Sequence, residues 1–167
     1  MLSISISCVK MAEFFAGASL VNKTGAAATL DVGPDVVVGV FFSSSWCPDC
    51  KPFVLTLAAM YEELNEDGKV FEVVFVSSDH DAAGMASYMT EKHEDWLAVA
   101  YDAPLRNELK VKYGACAGSE QADVGVEPRK HGIPTLIIVK PDGTELCDGS
   151  DDVTKYAGRG MPAAWKA

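Results

Sequence analysis

The sequence has few cysteines, little positive charge and no long apolar run. Five cysteines among 167 residues are too few, and an odd number, for a small scaffold held together by disulfides, so a reducing compartment is expected. The 14 lysines and arginines are outnumbered by 24 aspartates and glutamates, which leaves a formal net charge of −10. Nucleic acids and anionic membranes need a basic surface, so neither is an expected partner.

Signals for membrane insertion and export are also lacking. No stretch approaches the run of about 18 apolar residues that a membrane-spanning helix needs. Residues 1–10 lack both the apolar centre of a secretory signal and the arginines of a transit peptide, although they are rich in serine. We expect residues 1–10 to be a disordered extension and residues 11–167 to form a single domain. The protein is expected to be a cytoplasmic monomer, with a mitochondrial location as the alternative.

What the sequence does have is a pair of cysteines, Cys47 and Cys50, between an apolar run and a segment with helical periodicity. A C-x-x-C pair at the start of a helix can form a reversible dithiol/disulfide couple, because its two sulfurs lie about one turn apart. The unpaired N–H groups and the dipole at the helix start favour the thiolate of Cys47. We therefore predict Cys47 as a nucleophile open to water and Cys50 as the resolving thiol.

Two other interpretations of the motif are half of a zinc site and a chance pair. A structural zinc needs four ligands, and the sequence has neither a second C-x-x-C nor a histidine pair at the required spacing. No metal or organic cofactor is therefore expected. Cys116 is either an inert loop residue or a regulatory thiol, whereas Cys147 in a predicted strand is interpreted as a small apolar filler.

Apolar runs alternate with helical segments along the chain. We predict strands over 36–42, 70–76, 133–140 and 144–147, and helices over 51–65, 82–92, 105–113 and 151–157. Long connections imply parallel pairing of the buried strands, and the turn at 141–143 adds an antiparallel hairpin at the edge. This order predicts an α/β fold, with a mixed central sheet and helices on both faces. Residues 114–132 have no apolar period and are predicted to be a long inserted loop.

Several residues beside the cysteines are candidates for substrate binding. Trp46 is expected to cover the disulfide and to offer a flat surface to a partner. Pro48 is placed at about the first helical position, where its missing N–H is harmless. The carboxylate of Asp49 should oppose part of the effect of the helix start on Cys47, unless it is simply solvated. His80 is either an exposed loop residue or a proton shuttle.

The other two histidines, His93 and His131, are expected on the surface. A second proline in the helix after the motif, Pro52, is expected to kink that helix if its missing N–H breaks the hydrogen-bond pattern.

The C-x-x-C pair after a central strand, together with Gly132-Ile133-Pro134-Thr135 before a later strand, resembles the thioredoxin fold. More closely, the chain is similar to the tryparedoxin/nucleoredoxin branch of the thioredoxin superfamily, in segments 41–48, 71–79, 96–99, 133–136 and 165–166. The resemblance implies a thioredoxin-like three-layer fold. It also implies that Pro134 is cis and lies against the disulfide, and that Ile133 offers backbone groups to a bound substrate strand.

The resemblance further implies a small dithiol carrier. Tryparedoxins take electrons from trypanothione, a low-molecular-weight dithiol, and pass them to peroxiredoxin-type peroxidases and other protein disulfides. This chain departs from their pattern with Asp49 in place of a second proline, Ser78 in place of a tryptophan and His80 in place of an acid. Two alternatives remain, namely a thioredoxin-related reductase fed by another system and a redox-inactive binding or scaffold protein on the same fold. Thioredoxins keep a buried aspartate near the position of Phe41, so proton transfer here falls to water or to a nearby polar group.

Overall fold

The computed structural model describes residues 14–166, and the expectation for residues 1–10 lies outside this range. Strands and helices alternate through the described part of the chain. The strands are β1 Leu20–Val21, β2 Ala27–Ala28, β3 Val37–Ser43, β4 Phe71–Ser77, β5 Leu97–Val99, β6 Thr135–Val139 and β7 Glu145–Asp148. The α-helices are α1 Cys50–Leu64, α2 Ala82–Lys92, α3 Pro104–Tyr113, α4 Gln121–Val124 and α5 Ser150–Lys155, and short 3₁₀ helices lie at Gly118–Glu120 and Ala163–Trp165.

These strands form one seven-stranded sheet in the order β2-β1-β5-β4-β3-β6-β7. The β3–β4 and β4–β5 pairs are parallel, and the remaining pairs are antiparallel. The predicted mixed α/β sheet and the β6–β7 hairpin are confirmed. Strands β1 and β5 were not predicted, because strands of two and three residues are too short to show an alternating pattern.

The prediction that all the buried strands are parallel is wrong for β6, which runs antiparallel to β3 with Phe42 opposite Thr135. The connection from α3 explains the reversal. This connection returns to the end of the sheet at which β3 finishes, as shown by contacts of Glu120 with Ser78 and of Ile133 with Cys47. A strand that begins at this end and pairs with β3 must run antiparallel to it.

Apolar side chains on both faces of the sheet form two clusters, which gives the fold three layers. On one face, Phe41 and Phe75 pack with Leu57 of α1 and with Trp96. On the other face, alternating residues of β3 pack with Leu109 and other residues of the α3 side. Every residue of β4 is buried, as expected for a strand covered on both sides. No helix within residues 14–166 has both the length and the apolarity to cross a membrane.

The segment over residues 114–132 is not the structureless loop that its composition predicts. It contains the 3₁₀ helix, the short helix α4 and a bridge between Ala115 and His131. Cys116 and Val126 are buried, so the segment packs against the domain. The lack of an apolar period reflects its short helices, which bury no residue, so the buried side chains of the segment lie outside them.

Candidate active site

The motif lies at the end of β3 and the beginning of α1. Cys50 is the first residue of the helix, and Asp49 occupies the N-cap position without a side-chain capping bond. Pro48 therefore precedes the helix, and the prediction that it is the first helical residue is wrong by two positions. Pro52 lies in the first turn, where backbone N–H groups have no helical partner, so it removes no hydrogen bond and gives no cause for a kink.

The two cysteines lie close together and both are free thiols. The backbone N–H of Cys50 donates to the Cys47 sulfur at 3.3 Å, which is the helix-start contact that favours a thiolate. Cys47 is 5% exposed, however, and Cys50 is fully buried. Cys47 is therefore less open to water than the sequence predicts, although its sulfur has contacts with backbone polar groups.

The environment of Cys50 differs sharply from that of Cys47. The pKa of the Cys50 thiol is raised to about 12, chiefly by burial and also by the hydrogen bond with the Cys47 side chain, whereas the Ser43 side chain and the Ser44 backbone act in the opposite direction. The Ser43 hydroxyl also lies 2.9 Å from the hydroxyl of Tyr88, in a buried hydrogen bond. The Ser43 hydroxyl, itself bonded to Tyr88, and the Ser44 backbone thus supply polar contacts at the Cys50 thiol.

Trp46 forms the exposed border of the site. Its ring is 39% exposed, and its indole N–H donates to the carbonyl oxygen of Ser78 at 3.0 Å. The ring stacks on His80, with centroids 5.2 Å apart and planes 9° from parallel. His80 is exposed, as one of its two interpretations expected. The stacked pair makes a flat aromatic surface beside the motif.

Asp79 holds the loop before the motif in place through hydrogen bonds. One oxygen of its buried carboxylate accepts hydrogen bonds from the N–H and the hydroxyl of Ser45, at 2.8 and 2.6 Å. The other oxygen accepts from the Ser77 hydroxyl at 2.7 Å. The carboxylate is therefore engaged in fixing the backbone between β3 and the cysteines.

Ile133 and Pro134 border the site through a contact of Ile133 with Cys47. The peptide bond between them is cis, as the resemblance implies, and both residues are half-buried. The carbonyl oxygen of Ile133 lies 3.8 Å from the Cys47 sulfur. The structure therefore brings together Trp46, Cys47, Cys50, Ile133 and Pro134, with Pro48 and Asp49 exposed at the rim.

Sequence reasoning missed a buried ion pair next to the site. Lys110 is fully buried and its amine lies 2.8 Å from the carboxylate of Glu120, which also accepts a hydrogen bond from Ser78. Burial lowers the pKa of Lys110, and the hydrogen bond with Glu120 opposes this. The sequence does not predict this ion pair, because Lys110 lies in a predicted helix, Glu120 lies in a predicted loop, and no periodic pattern connects the two.

The prediction that His93 is a surface residue is wrong. It is 1% exposed, and its Nδ1 accepts a hydrogen bond from the Trp96 indole at 3.0 Å. Burial, assisted by the charge of Lys23, lowers the pKa of His93 to about 3. His131 is partly exposed and lies 3.3 Å from Asp148. The ring of His93 is surrounded by aromatic side chains, which the polar neighbours of His93 in sequence do not reveal.

The other described cysteines lie apart from the motif. Burial raises the pKa of both Cys116 and Cys147, so neither thiol is activated by its surroundings. Cys147 is half-buried, in agreement with its interpretation as a filler. Within residues 14–166, the histidine, cysteine and acidic side chains form no group of three or more that could hold a metal ion.

Comparison with known proteins places this arrangement in a family. A family model described as thioredoxin-like matches residues 35–145. Mouse (Mus musculus) nucleoredoxin is 36% identical over 107 residues, which cover 64% of this chain and 21% of that protein. The chain thus spans about a fifth of the length of the curated relatives that it matches.

Solved structures agree with this match. A thioredoxin from Wuchereria bancrofti is 33% identical, with a TM-score of 0.66, over 81% of this chain and 85% of that one. Tryparedoxin I from Crithidia fasciculata is 26% identical, with a TM-score of 0.69, over 95% of this chain and 99% of that one. The chain therefore belongs to the thioredoxin-like family, in its tryparedoxin/nucleoredoxin-like branch.

Proposed function

We propose that this protein is a dithiol carrier that reduces protein disulfides through Cys47 and Cys50. The observation that supports this most is the contact between the Cys50 N–H and the Cys47 sulfur at 3.3 Å, next to a carbonyl oxygen of the cis Ile133–Pro134 turn. Two neighbouring thiols, one 5% exposed and one fully buried, are suited to a two-step exchange.

In the first step the Cys47 thiolate attacks one sulfur of a substrate disulfide. A bond forms between Cys47 and that sulfur, the substrate disulfide breaks, and the other substrate sulfur leaves as a thiolate that takes up a proton. The residues proposed to contact the substrate are Trp46, Pro48, Asp49, Ile133 and Pro134, of which Ile133 has its carbonyl oxygen 3.8 Å from the Cys47 sulfur.

In the second step Cys50 loses its proton and attacks the Cys47 sulfur. The Cys47–Cys50 disulfide forms and the second substrate thiolate leaves, so the substrate gains two electrons and two protons and the enzyme loses them. A low-molecular-weight dithiol, for which trypanothione is one candidate, would return the electrons. Peroxiredoxin-type peroxidases are the proposed protein partners, because the chain is similar to tryparedoxins in sequence and fold.

Insulin reduction by dithiothreitol tests the activity. We expect the wild-type protein to accelerate insulin precipitation and Cys47→Ser to be inactive, because only the first cysteine can start the exchange. Cys147→Ser is the matched control, since it removes a thiol outside the motif and should leave the rate unchanged. A wild type no faster than Cys47→Ser would refute the proposal and leave a binding or scaffold role on the same fold.

A panel of reductants tests the electron donor. Trypanothione, glutathione, and thioredoxin reductase with NADPH are each supplied with insulin as the final acceptor. Turnover with trypanothione alone would support the tryparedoxin-like role, whereas turnover with thioredoxin reductase would assign the alternative reductase role. A peroxiredoxin and hydrogen peroxide in place of insulin then test the proposed partner.

A further inference from the structure

The segment between α3 and β6 contacts the active site through a charged residue, Glu120. One carboxylate oxygen of Glu120 accepts a hydrogen bond from Lys110 at 2.8 Å, and the other accepts from the Ser78 hydroxyl and from the Ala117 N–H at 3.1 Å. The Lys110 side chain is fully buried, whereas Glu120 keeps 20% exposure. A buried ammonium without a counter-charge is strongly unfavourable, so Lys110 holds the carboxylate in this position.

Ser78 connects this ion pair to the exposed tryptophan of the site. Its carbonyl oxygen accepts the Trp46 indole N–H at 3.0 Å, and its own N–H donates to the Ser43 carbonyl at 2.9 Å. The indole has one N–H, so the bond to Ser78 and the stack on His80 determine where the ring lies. A shift of Ser78 would therefore move Trp46.

We propose that Glu120 is a positioning residue, which acts through Ser78 to hold Trp46 beside Cys47. This inference rests on the proposed function, in which Trp46 contacts the substrate. The proposal gives the 114–132 segment a role, because Glu120 in this segment stabilises the position of Ser78, which contacts Trp46 at the active site. The charge of Lys110 holds the Glu120 carboxylate in place, and the carboxylate in turn fixes the position of Ser78 by accepting its hydrogen bond.

A double-mutant cycle in the full chain separates positioning from simple stabilisation. We expect Glu120→Ala to raise the KM for insulin about fivefold, as for the loss of one hydrogen bond at a docking surface, with kcat changed less than twofold. In a Trp46→Ala background, Glu120→Ala should raise KM no further, because the residue through which it acts is gone. An equal rise in KM with and without Trp46 overturns the proposal.

Asp123→Asn is the matched control, because it removes an exposed carboxylate three residues farther along the same segment. It should leave KM unchanged. Glu120→Gln serves if Glu120→Ala does not fold, since its amide oxygen can still accept a hydrogen bond from Ser78. We expect it to raise KM about twofold, through the lost attraction to Lys110. A Glu120→Gln protein identical to the wild type would then overturn the proposal.

Acrylamide quenching of fluorescence gives a readout that needs no activity. Trp96 and Trp165 are buried, so quenching reports mainly on Trp46. We expect Glu120→Ala to increase the quenching constant and Asp123→Asn to leave it unchanged, and equal effects of the two variants would contradict the proposal. A protein that fails to reduce insulin would refute the proposed function, whereas the quenching result would still decide whether Glu120 positions Trp46.

Discussion

At the residue scale, the two cysteines of the motif are chemically unequal because of what surrounds each sulfur. Cys47 lies next to the surface and receives a backbone N–H, which stabilises negative charge. Cys50 is fully buried, and burial raises the pKa of its thiol to about 12. An attacking thiol and a resolving thiol are thus distinguished by desolvation and hydrogen bonding, even though the side chains are identical.

Ser43 should assist the second step of the exchange. Its hydroxyl lowers the pKa of Cys50 and is itself hydrogen-bonded to Tyr88, so Ser43→Ala should raise that pKa further. Because attack requires the thiolate, we expect mixed-disulfide resolution near pH 7 to slow about tenfold in Ser43→Ala, as for the loss of one hydrogen bond to a charged group. Rapid-quench alkylation with mass spectrometry measures the lifetime of the mixed disulfide.

Ser44→Ala is the control for that prediction. Ser44 is equally buried and adjacent, but its hydroxyl has no hydrogen-bond partner within the described residues. Its removal should leave resolution unchanged, because the contact of Ser44 with Cys50 comes from the backbone. Equal slowing in both variants would show that general loosening of the strand end, and not the Ser43 hydroxyl, controls the rate.

His93 should make the protein sensitive to acid. Its pKa is lowered from 6.5 to about 3, so between these values the unfolded chain binds a proton that the folded chain does not. The free energy of unfolding must therefore fall as the pH drops from 6.5 towards 3, at about 1.4 kcal/mol per pKa unit. We expect His93→Asn to remove most of this acid sensitivity, measured by urea unfolding at pH 7 and pH 4.

His80→Gln provides the comparison, because it removes an exposed histidine. It should retain the pH dependence of the wild type. His93→Asn should be less stable than the wild type at pH 7, since it leaves a gap among aromatic rings, but its stability should change less on acidification. A slope identical to that of the wild type would mean that other groups cause the acid sensitivity.

At the scale of the element, the α1 helix is held by one apolar face. Leu57 on this face is fully buried against the sheet, whereas Leu55 on the opposite face is 57% exposed. We expect Leu57→Ala to lower the free energy of unfolding by about 2–5 kcal/mol, because it leaves a cavity in the core. Leu55→Ala should change it by less than about 0.5 kcal/mol, and chemical denaturation of both variants gives the comparison.

The start of α1 shows why element boundaries matter for chemistry. The helix begins at Cys50 and not at the preceding proline, so the N–H that reaches the Cys47 sulfur belongs to the first helical residue. A prediction based on Pro48 alone places the helix start two residues too early. Proline favours an early helical position but also fits the turn before it, and the packing of the motif decides between them.

At the scale of the whole molecule, the net charge of −10 should select among substrates. An acidic surface attracts cations over distances set by the ionic strength. We expect kcat/KM to be several-fold higher for cystamine, a dicationic disulfide, than for dithiodiglycolate, a dianionic one, at low salt. The ratio should fall as sodium chloride is raised towards 0.5 M, and a ratio independent of salt would contradict electrostatic attraction.

The cytoplasmic location and the monomeric state remain predictions.

The alternation of apolar runs and helical segments was sufficient to predict a mixed sheet, the strands β3, β4, β6 and β7, and the place of the motif. The run from Val36 to Phe42 is apolar at almost every position, and the structure buries it on both faces as β3. The Cys47–Cys50 spacing identified the motif, because the backbone conformation at the start of a helix brings two cysteines at that separation close together. These properties are local, and local sequence records them.

The direction of β6, the burial of His93 and the pairing of Lys110 with Glu120 were decided only by the tertiary structure. Each depends on which segments contact one another in the folded chain. The periodicity of apolar residues predicts single helices and strands, but it does not predict contacts between them. Ser43 and Tyr88 likewise form their buried bond across 45 positions. The sequence alone thus determined the spacing of the two cysteines at the start of a helix, because that pattern is local. Only the folded environment decided how deeply each thiol is buried and which polar groups surround it.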